Sequence, residues 1–177
     1  MPTIVQSTLQ SYIDAARNGT TTTERGCALE DLICYLFRQV PGISIRRRDQ
    51  KNVFLTEEID IALWNDGPPD GFFFLPNIIL VECKNWCGRV GSSELSWFDT
   101  KLRSRGLNFG IFVAPQGITG ESQELTAAHS IVASALREGR RLVVVTTDDL
   151  LTITDSAKLV LLLKEKLCDL AVMGTLG

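Results

Sequence analysis

Two opposite charges stand two residues apart, Glu82 and Lys84, at the end of the apolar run Ile78-Ile79-Leu80-Val81. Pro76 and Asn77 precede that run and Gly88 follows, so it reads as a buried strand punctuated at both ends. Side chains alternate across a strand, which puts Glu82 and Lys84 on one face with Leu80, while Ile79, Val81 and Cys83 take the other. Charge is costly in an interior unless it is paired, hydrated or bound to a metal. Two further acids sit where surface acids do not belong. Asp60 lies in the middle of the alternating segment Glu57–Trp64, a setting that disfavours aspartate. With Leu29 at 0° on a helical wheel, Leu32, Leu36, Ile33, Phe37 and Cys34 fill an arc from about 300° to 140°. Glu30 falls at about 100°, inside that arc, whereas Asp31 at about 200° faces outward.

Oxygen ligands and a fixed cation are what phosphodiester hydrolysis requires. A hard divalent ion such as Mg2+ or Mn2+ takes a few carboxylates and completes its shell with waters and substrate phosphate. Asp60 and Glu82 would supply such ligands from adjacent strands, and the backbone carbonyl of Cys83 a third. Lys84 would orient the attacking water or stabilise the pentacovalent charge, with Glu30 joining from the packed helix. The plain alternative is a Glu82–Lys84 salt bridge at a strand end, an Asp60 that caps a turn and a Glu30 that reaches solvent or caps a neighbour. A bare Glu-x-Lys carries almost no information; its context, a core strand beside a strand with an inward Asp, favours the metal site.

The elements that must position these groups follow from periodicity and punctuation. Ile4–Ala16 is a helix ended by Arg17-Asn18-Gly19. Hydroxyl caps in Thr20–Thr23 lead into a stronger helix over Glu24–Val40, stopped by Pro41-Gly42. Ile43–Asp49 reads as an edge strand with a cationic tip. In Glu57–Trp64, Ile59, Ile61 and Leu63 share one face and Glu58, Asp60 and Ala62 the other. Asn65–Gly71 makes a turn, and Phe72–Leu75 leads into the Glu82 strand, so the two strands pair as an antiparallel hairpin that brings Asp60 beside Glu82. There follow a helix over Ser92–Ser104 capped by Ser92 or Ser93, a strand over Asn108–Ala114, a helix over Gly120–Glu138, a strand over Arg141–Thr146, a polar turn at Thr147-Asp148-Asp149 and a last helix over Asp155–Val172. The expected class is α/β, in one domain spanning residues 1–177.

Composition sets limits on partners. The 177 residues are 45% hydrophobic and 22% charged, as in ordinary globular chains. No apolar run approaches the roughly 20 residues that span a bilayer, and the first residues lack a basic start followed by an apolar stretch. A cytoplasmic location without a membrane partner is expected. Cys27, Cys34, Cys83, Cys87 and Cys168 are odd in number and lack a paired C-x-x-C framework, so they read as reduced core filler. His129, the one histidine, reads as a surface or boundary residue. A net charge of -3 provides no global positive field, so nucleic-acid binding would rely on local patches. The candidates are Arg46, Arg47, Arg48 and Lys51, with Lys101, Arg103 and Arg105, as phosphate-backbone contacts that make binding salt-sensitive. The bland alternative for the first cluster is a solvated strand end.

Taken together, Ala28-Leu29-Glu30-Asp31-Leu32, Glu58-Ile59-Asp60 and Leu80-Val81-Glu82-Cys83-Lys84-Asn85 resemble the motifs of the PD-(D/E)xK restriction-endonuclease-like superfamily, particularly its Mrr-like branch. Gly110-Ile111-Phe112-Val113 and Gly117-Ile118-Thr119 resemble that branch too, and the likeness spans about Arg25 to Leu151. It implies an αβββαβ core with a mixed central sheet flanked by helices. It also implies metal binding by Asp60 and Glu82, a catalytic Lys84 and Glu30 as the helix acid. Ile59 stands where the motif often has proline, and Glu82 where the Mrr-like branch often has glutamine. The expected activity is a Mg2+- or Mn2+-dependent nuclease, with DNA as the substrate and restriction or phage defence as the setting. A homodimer is expected because one active site cuts one strand, with the apolar last helix as a candidate interface besides its role in the core. No separate recognition domain is visible, so specificity would come from loops, an oligomer or a sensor or recognition partner. The alternative is a catalytically idle nucleic-acid-binding or assembly module; retention of Glu30, Asp60, Glu82 and Lys84 together speaks against it. No Ser-His-Asp arrangement, phosphate-cradling glycine loop or histidine cluster supports a different chemistry.

Overall fold

Antiparallel strands can be joined by a turn, whereas parallel ones need a crossover element, and this chain uses both kinds of connection in one sheet. The computed structural model describes residues 2–51, 58–120 and 127–175. Two helices come first, α1 (Gln6–Asn18) and α2 (Thr22–Arg38), then three strands, β1 (Ile43–Lys51), β2 (Glu58–Asn65) and β3 (Ile78–Cys83). The second half alternates: α3 (Ser92–Ser104), β4 (Phe109–Val113), α4 (Ala127–Arg137), β5 (Arg141–Val145), α5 (Thr147–Leu151) and α6 (Ser156–Met173). The strands form a five-stranded sheet in the order β1-β2-β3-β4-β5. The β1-β2 and β2-β3 pairs are antiparallel, and β3-β4 and β4-β5 are parallel. It is the mixed α/β sheet expected, with β1 at an edge.

Each face of the sheet carries its own apolar layer. Ile61, Leu63, Ile79, Val81, Ile111, Val113, Val143 and Val145 pack with α1, α2 and α6. On the other face, Leu80, Phe112, Leu142 and Val144 pack with α3 and α4. The strict alternation along β3 is as read, with Leu80 and Glu82 opposite to Ile79, Val81 and Cys83. Ile59 differs from expectation: it packs with the α3–α4 layer rather than beside Ile61 and Leu63. The β2–β3 ladder runs from Ile61↔Val81 to Trp64↔Ile78, so Ile59 and Asp60 lie beyond it; β1 still pairs Ile59 with Gln50, but the neighbouring Asp49 has a φ of 50°, which interrupts the regular pleat there.

Local chemistry explains the element boundaries. Thr21 and Glu24 form a capping box, with Glu24 N donating to Thr21 Oγ1 at 3.1 Å and Thr21 N to Glu24 Oε2 at 3.2 Å, which starts α2 two residues before the periodicity suggested. The supposed turn at Thr147-Asp148-Asp149 is a helix for the same reason: Thr146 N donates to Asp149 Oδ2 and Asp149 N to Thr146 Oγ1. Ser92 and Ser93 lie inside α3, whose N-cap is Gly91. The long β2–β3 connection hangs on buried Asn65. Its amide nitrogen donates to the carbonyls of Phe72 (2.9 Å), Leu75 (3.2 Å) and Pro76 (3.2 Å), and its oxygen accepts from Gly67 N.

Two further expectations change. Only Cys34 is a fully buried cysteine; Cys27, Cys87 and Cys168 are exposed, and all five thiols are free. His129 is buried, its Nδ1 facing Thr175 Oγ1 at 3.2 Å, because α4 turns that side of Ala127-Ala128-His129 inward. Glu57 and residues 121–126, part of the expected second strand and fourth helix, lie outside the described residues. No helix among the described residues is long and apolar enough to cross a membrane.

Gly110 sets the spacing between α3 and the sheet. A Cβ there would lie 2.7 Å from Phe98 Cζ and 2.8 Å from Leu102 Cδ1, well inside van der Waals contact. Gly110→Ala is therefore expected to destabilise the protein by about 1–3 kcal/mol. Gly88→Ala, where an added Cβ meets nothing within 4 Å, should change stability by no more than about 0.5 kcal/mol. Urea unfolding of both variants decides it; equal effects would contradict the close approach.

Candidate active site

The site is built where the β2–β3 ladder gives out. Beyond Ile61, the Asp60 side chain takes over from the backbone: its Oδ2 accepts a hydrogen bond from Cys83 N at 2.7 Å. The carboxylate of Asp60 is thereby fixed against the end of β3, beside Glu82. Glu82 is buried, with 3% of its side chain exposed, and each oxygen meets an ammonium: Lys84 Nζ lies 2.6 Å from Oε1, and Lys101 Nζ lies 2.6 Å from Oε2. Lys101 comes from α3 and also donates to the carbonyl oxygen of Glu58 at 2.7 Å. Among the described residues, then, two carboxylates and two ammoniums meet at the ends of β2 and β3.

The electrostatics record how closely the acids crowd. Burial pushes the Asp60 carboxyl up to about 6, and the Glu82 charge adds to it, against the Cys83 N–H and the two lysines. Glu30 is pushed up to about 7, chiefly by burial, despite the opposing Arg48 guanidinium. The Cys83 thiol is raised by burial and then by the charges of Asp60, Glu30 and Glu82. Three carboxylates from α2, β2 and β3 therefore act on one point at the end of β3. For Lys84, burial works to lower the pKa, but the Glu82 charge and hydrogen bond outweigh it, leaving the ammonium above its ordinary value.

The sequence-predicted residues divide between this centre and elsewhere. Asp60, Glu82 and Lys84 come together. Glu30 stands nearby on α2 but is held by Arg48, whose Nε lies 3.0 Å from Glu30 Oε2 and whose Nη1 meets Asp31. Arg48, expected to contact phosphate, instead ties β1 to α2. The correction for Lys101 is larger. It was expected on the surface as a nucleic-acid contact, yet 5% of its side chain is exposed and it points into Glu82. The signal was present: with Leu95 at 0°, Phe98 and Leu102 fall at about 300° and 340° and Lys101 at about 240°, on the margin of the apolar stripe. Arg46, Arg47 and Arg103 are exposed, and Arg105 is half-buried with its guanidinium on the Lys101 carbonyl. The side chain of Lys51 lies outside the described residues. Asn85, next along from Lys84, donates to the carbonyls of Ala16 and Arg25 at 2.7 Å each, fixing the exit of β3 against α1 and α2.

No three His, Cys, Asp or Glu side chains converge as a metal cage among the described residues; the donor set is the Asp60–Glu82 pair. That pair still suits a hard cation, which needs one or two carboxylates and otherwise keeps water or phosphate oxygens. The Asp60 carboxyl is raised first by burial and then by the Glu82 charge, and a divalent ion would offset both.

The restriction endonuclease family Mrr_cat matches residues 24–143. By sequence, no curated protein matches the chain. Among solved structures, NucC of P. aeruginosa ATCC27853 in its cAAA-bound form is similar at a TM-score of 0.56 and 13% identity, over 97% of this chain and 89% of that one. NucC of E. coli MS115-1, also cAAA-bound, is similar at 0.55 and 14% identity, over 97% and 88%. At these identities the likeness is one of fold.

The strain on Asp60 makes a pH-dependent prediction. Its folded value near 6 lies above the ordinary 3.8, so the folded state binds the proton more tightly and stability falls as pH rises through that window. The penalty is absent below about pH 4 and complete above about pH 6. Without metal, Asp60→Asn is expected to be more stable than wild type at about pH 8 by about 1–3 kcal/mol, with the gap closing toward about pH 4. Urea titrations at both pH values test this; a gap independent of pH would contradict it.

Proposed function

This chain belongs to the restriction endonuclease family Mrr_cat, and we propose that it is a Mg2+- or Mn2+-dependent nuclease that hydrolyses phosphodiester bonds in DNA, in restriction or phage defence. The observation that carries the reading is the convergence of Asp60 and Glu82, from neighbouring strands, with Lys84 on the Glu82 carboxylate. Asp60, Glu82 and the Cys83 carbonyl would hold the cation. When bound, it supplies charge neutralisation at the phosphoryl oxygens and acidifies a water.

The chain's own groups have separable tasks. Lys84 has a raised pKa, so at neutral pH it acts as a fixed cation and hydrogen-bond donor rather than as a base. It would stabilise the negative charge that builds on the phosphorus oxygens. Glu30, at about 7, is divided between its two protonation states near neutrality, the property of a group that can hold and release a proton. Asp60 keeps its orientation through the Cys83 N–H. Exposed Arg46, Arg47 and Arg103 would meet the phosphate backbone without reading bases.

Cleavage of plasmid, single-stranded DNA and RNA with Mg2+, Mn2+ or EDTA tests the reading, with Lys84→Ala as comparator. DNA cutting that needs metal and falls by about a hundredfold or more in the variant is expected. Equal inactivity of both proteins on every substrate would favour the idle binding module instead. Binding should weaken steeply as salt rises, and the combined change Arg46→Ala and Arg47→Ala should lower the salt slope by about two. A slope unchanged by the pair would remove them from the interface.

A further inference from the structure

Two lysines hold Glu82, and they are not equivalent. Lys84 is 30% exposed at its side chain and reaches Glu82 Oε1; Lys101 is 5% exposed and reaches Oε2. Lys101 has a second anchor, the Glu58 carbonyl, two residues before Asp60. It therefore touches both strands that carry the paired acids. Its helix has little room to shift, because Leu95, Phe98 and Leu102 are buried and Phe98 and Leu102 abut the bare backbone at Gly110. A buried ammonium released from its partners would be left uncompensated in the core, a strongly unfavourable state. Lys84 has a path to solvent and no such restraint.

We propose that Lys101 is a positioning residue: it pins Glu82 Oε2 in the interior, leaves Oε1 as the oxygen available to a divalent cation, and lowers the affinity of the site for that cation. The proposal rests on the nuclease reading for its choice of ligand. Its physical basis is charge balance. With Asp60 ionised, the two carboxylates and two ammoniums cancel, so an arriving cation meets a neutral cluster instead of a dianionic one. Lys84, the more exposed partner of Oε1, is displaced outward, where a phosphate brings the compensating negative charge. Lys101 stays and keeps the carboxylate from rotating to chelate the cation through both oxygens. The site thus holds its cation firmly only when a phosphate is also present.

Many outer partners raise the basicity of a metal ligand, and removing them weakens metal binding. An ammonium on a carboxylate does the reverse, so its removal should tighten binding. Mn2+ binding by calorimetry at about pH 8, without nucleic acid, reads this directly on wild type, Lys101→Met, Lys101→Gln and Lys101→Arg. The Met and Gln variants are expected to bind Mn2+ about tenfold more tightly or better, and Arg to stay within about threefold of wild type. Gln keeps a donor for Glu82 if Met fails to fold. In parallel, plasmid cleavage by the Met and Gln variants should fall by about tenfold or more, since the carboxylate is no longer held by a charged, doubly anchored partner. Tighter metal with slower cutting is a split that a lysine serving only the packing would not produce. Unchanged or weaker Mn2+ affinity in both charge-removing variants, or no Mn2+ binding by any of the four proteins, would overturn the proposal. If affinity shifts as expected but no variant and no wild type cleaves any substrate, the nuclease reading fails while the assignment of Lys101 stands.

Discussion

A carboxylate whose side chain is only 3% exposed is costly to bury unless cations reach it, and Glu82 is reached by two, each at 2.6 Å. The rest of the molecule is arranged so that this can happen. β3 must end where its last residues leave the apolar layers, which is why the run Ile79-Leu80-Val81 is followed at once by Glu82. β2 must part from β3 at the same level so that a side chain, Asp60, replaces the backbone partner of Cys83. α3 must sit close enough for Lys101 to cross to Glu82, and Gly110 permits that approach.

The site holds its charges at a cost to stability. Asp60 and Glu30 are both pushed well above ordinary carboxyl values, burial being the first cause in each. In a domain with a net stability on the order of 5–15 kcal/mol, such strain is tolerable only because the two apolar layers are continuous on either side of the sheet. Sites that must bind charge are commonly built this way, with rigid elements supplying the stability that the reactive groups give up. Here the rigid parts are α3, locked on β4, and the Asn65 and Asn85 side chains, which tie the loops at either end of β3 to fixed carbonyls.

Much of this was legible in the amino-acid order. The period of two in β2 and β3 and the acids set into it located Asp60, Glu82 and Lys84, and the helical wheel placed Glu30 inward. What periodicity could not carry were partners chosen by tertiary packing. Arg48 looks like part of a basic surface run until α2 is known to lie across β1, at which point it becomes the counter-ion of Glu30 and Asp31. Lys101 looks like one of several helix cations until the crossing of α3 over the sheet brings it to Glu82. Ile59 changes faces where β2 runs beyond its ladder with β3 and Asp49, next to its β1 partner Gln50, breaks the pleat at a positive φ. The Thr147–Leu151 helix replaces the expected polar turn for a smaller reason, a capping box in which Asp149 bonds back to Thr146.

Asp60 and Glu82 are proposed to form a divalent-cation site together. Anomalous scattering at the manganese edge, from crystals grown with Mn2+ and an uncleavable oligonucleotide, addresses it most directly. The account predicts a peak in bonding contact with both carboxylates, about 2.0–2.2 Å from their oxygens, with Lys84 withdrawn from Glu82 and Lys101 still on Oε2. A manganese peak elsewhere, or none while both lysines remain on Glu82, would contradict it.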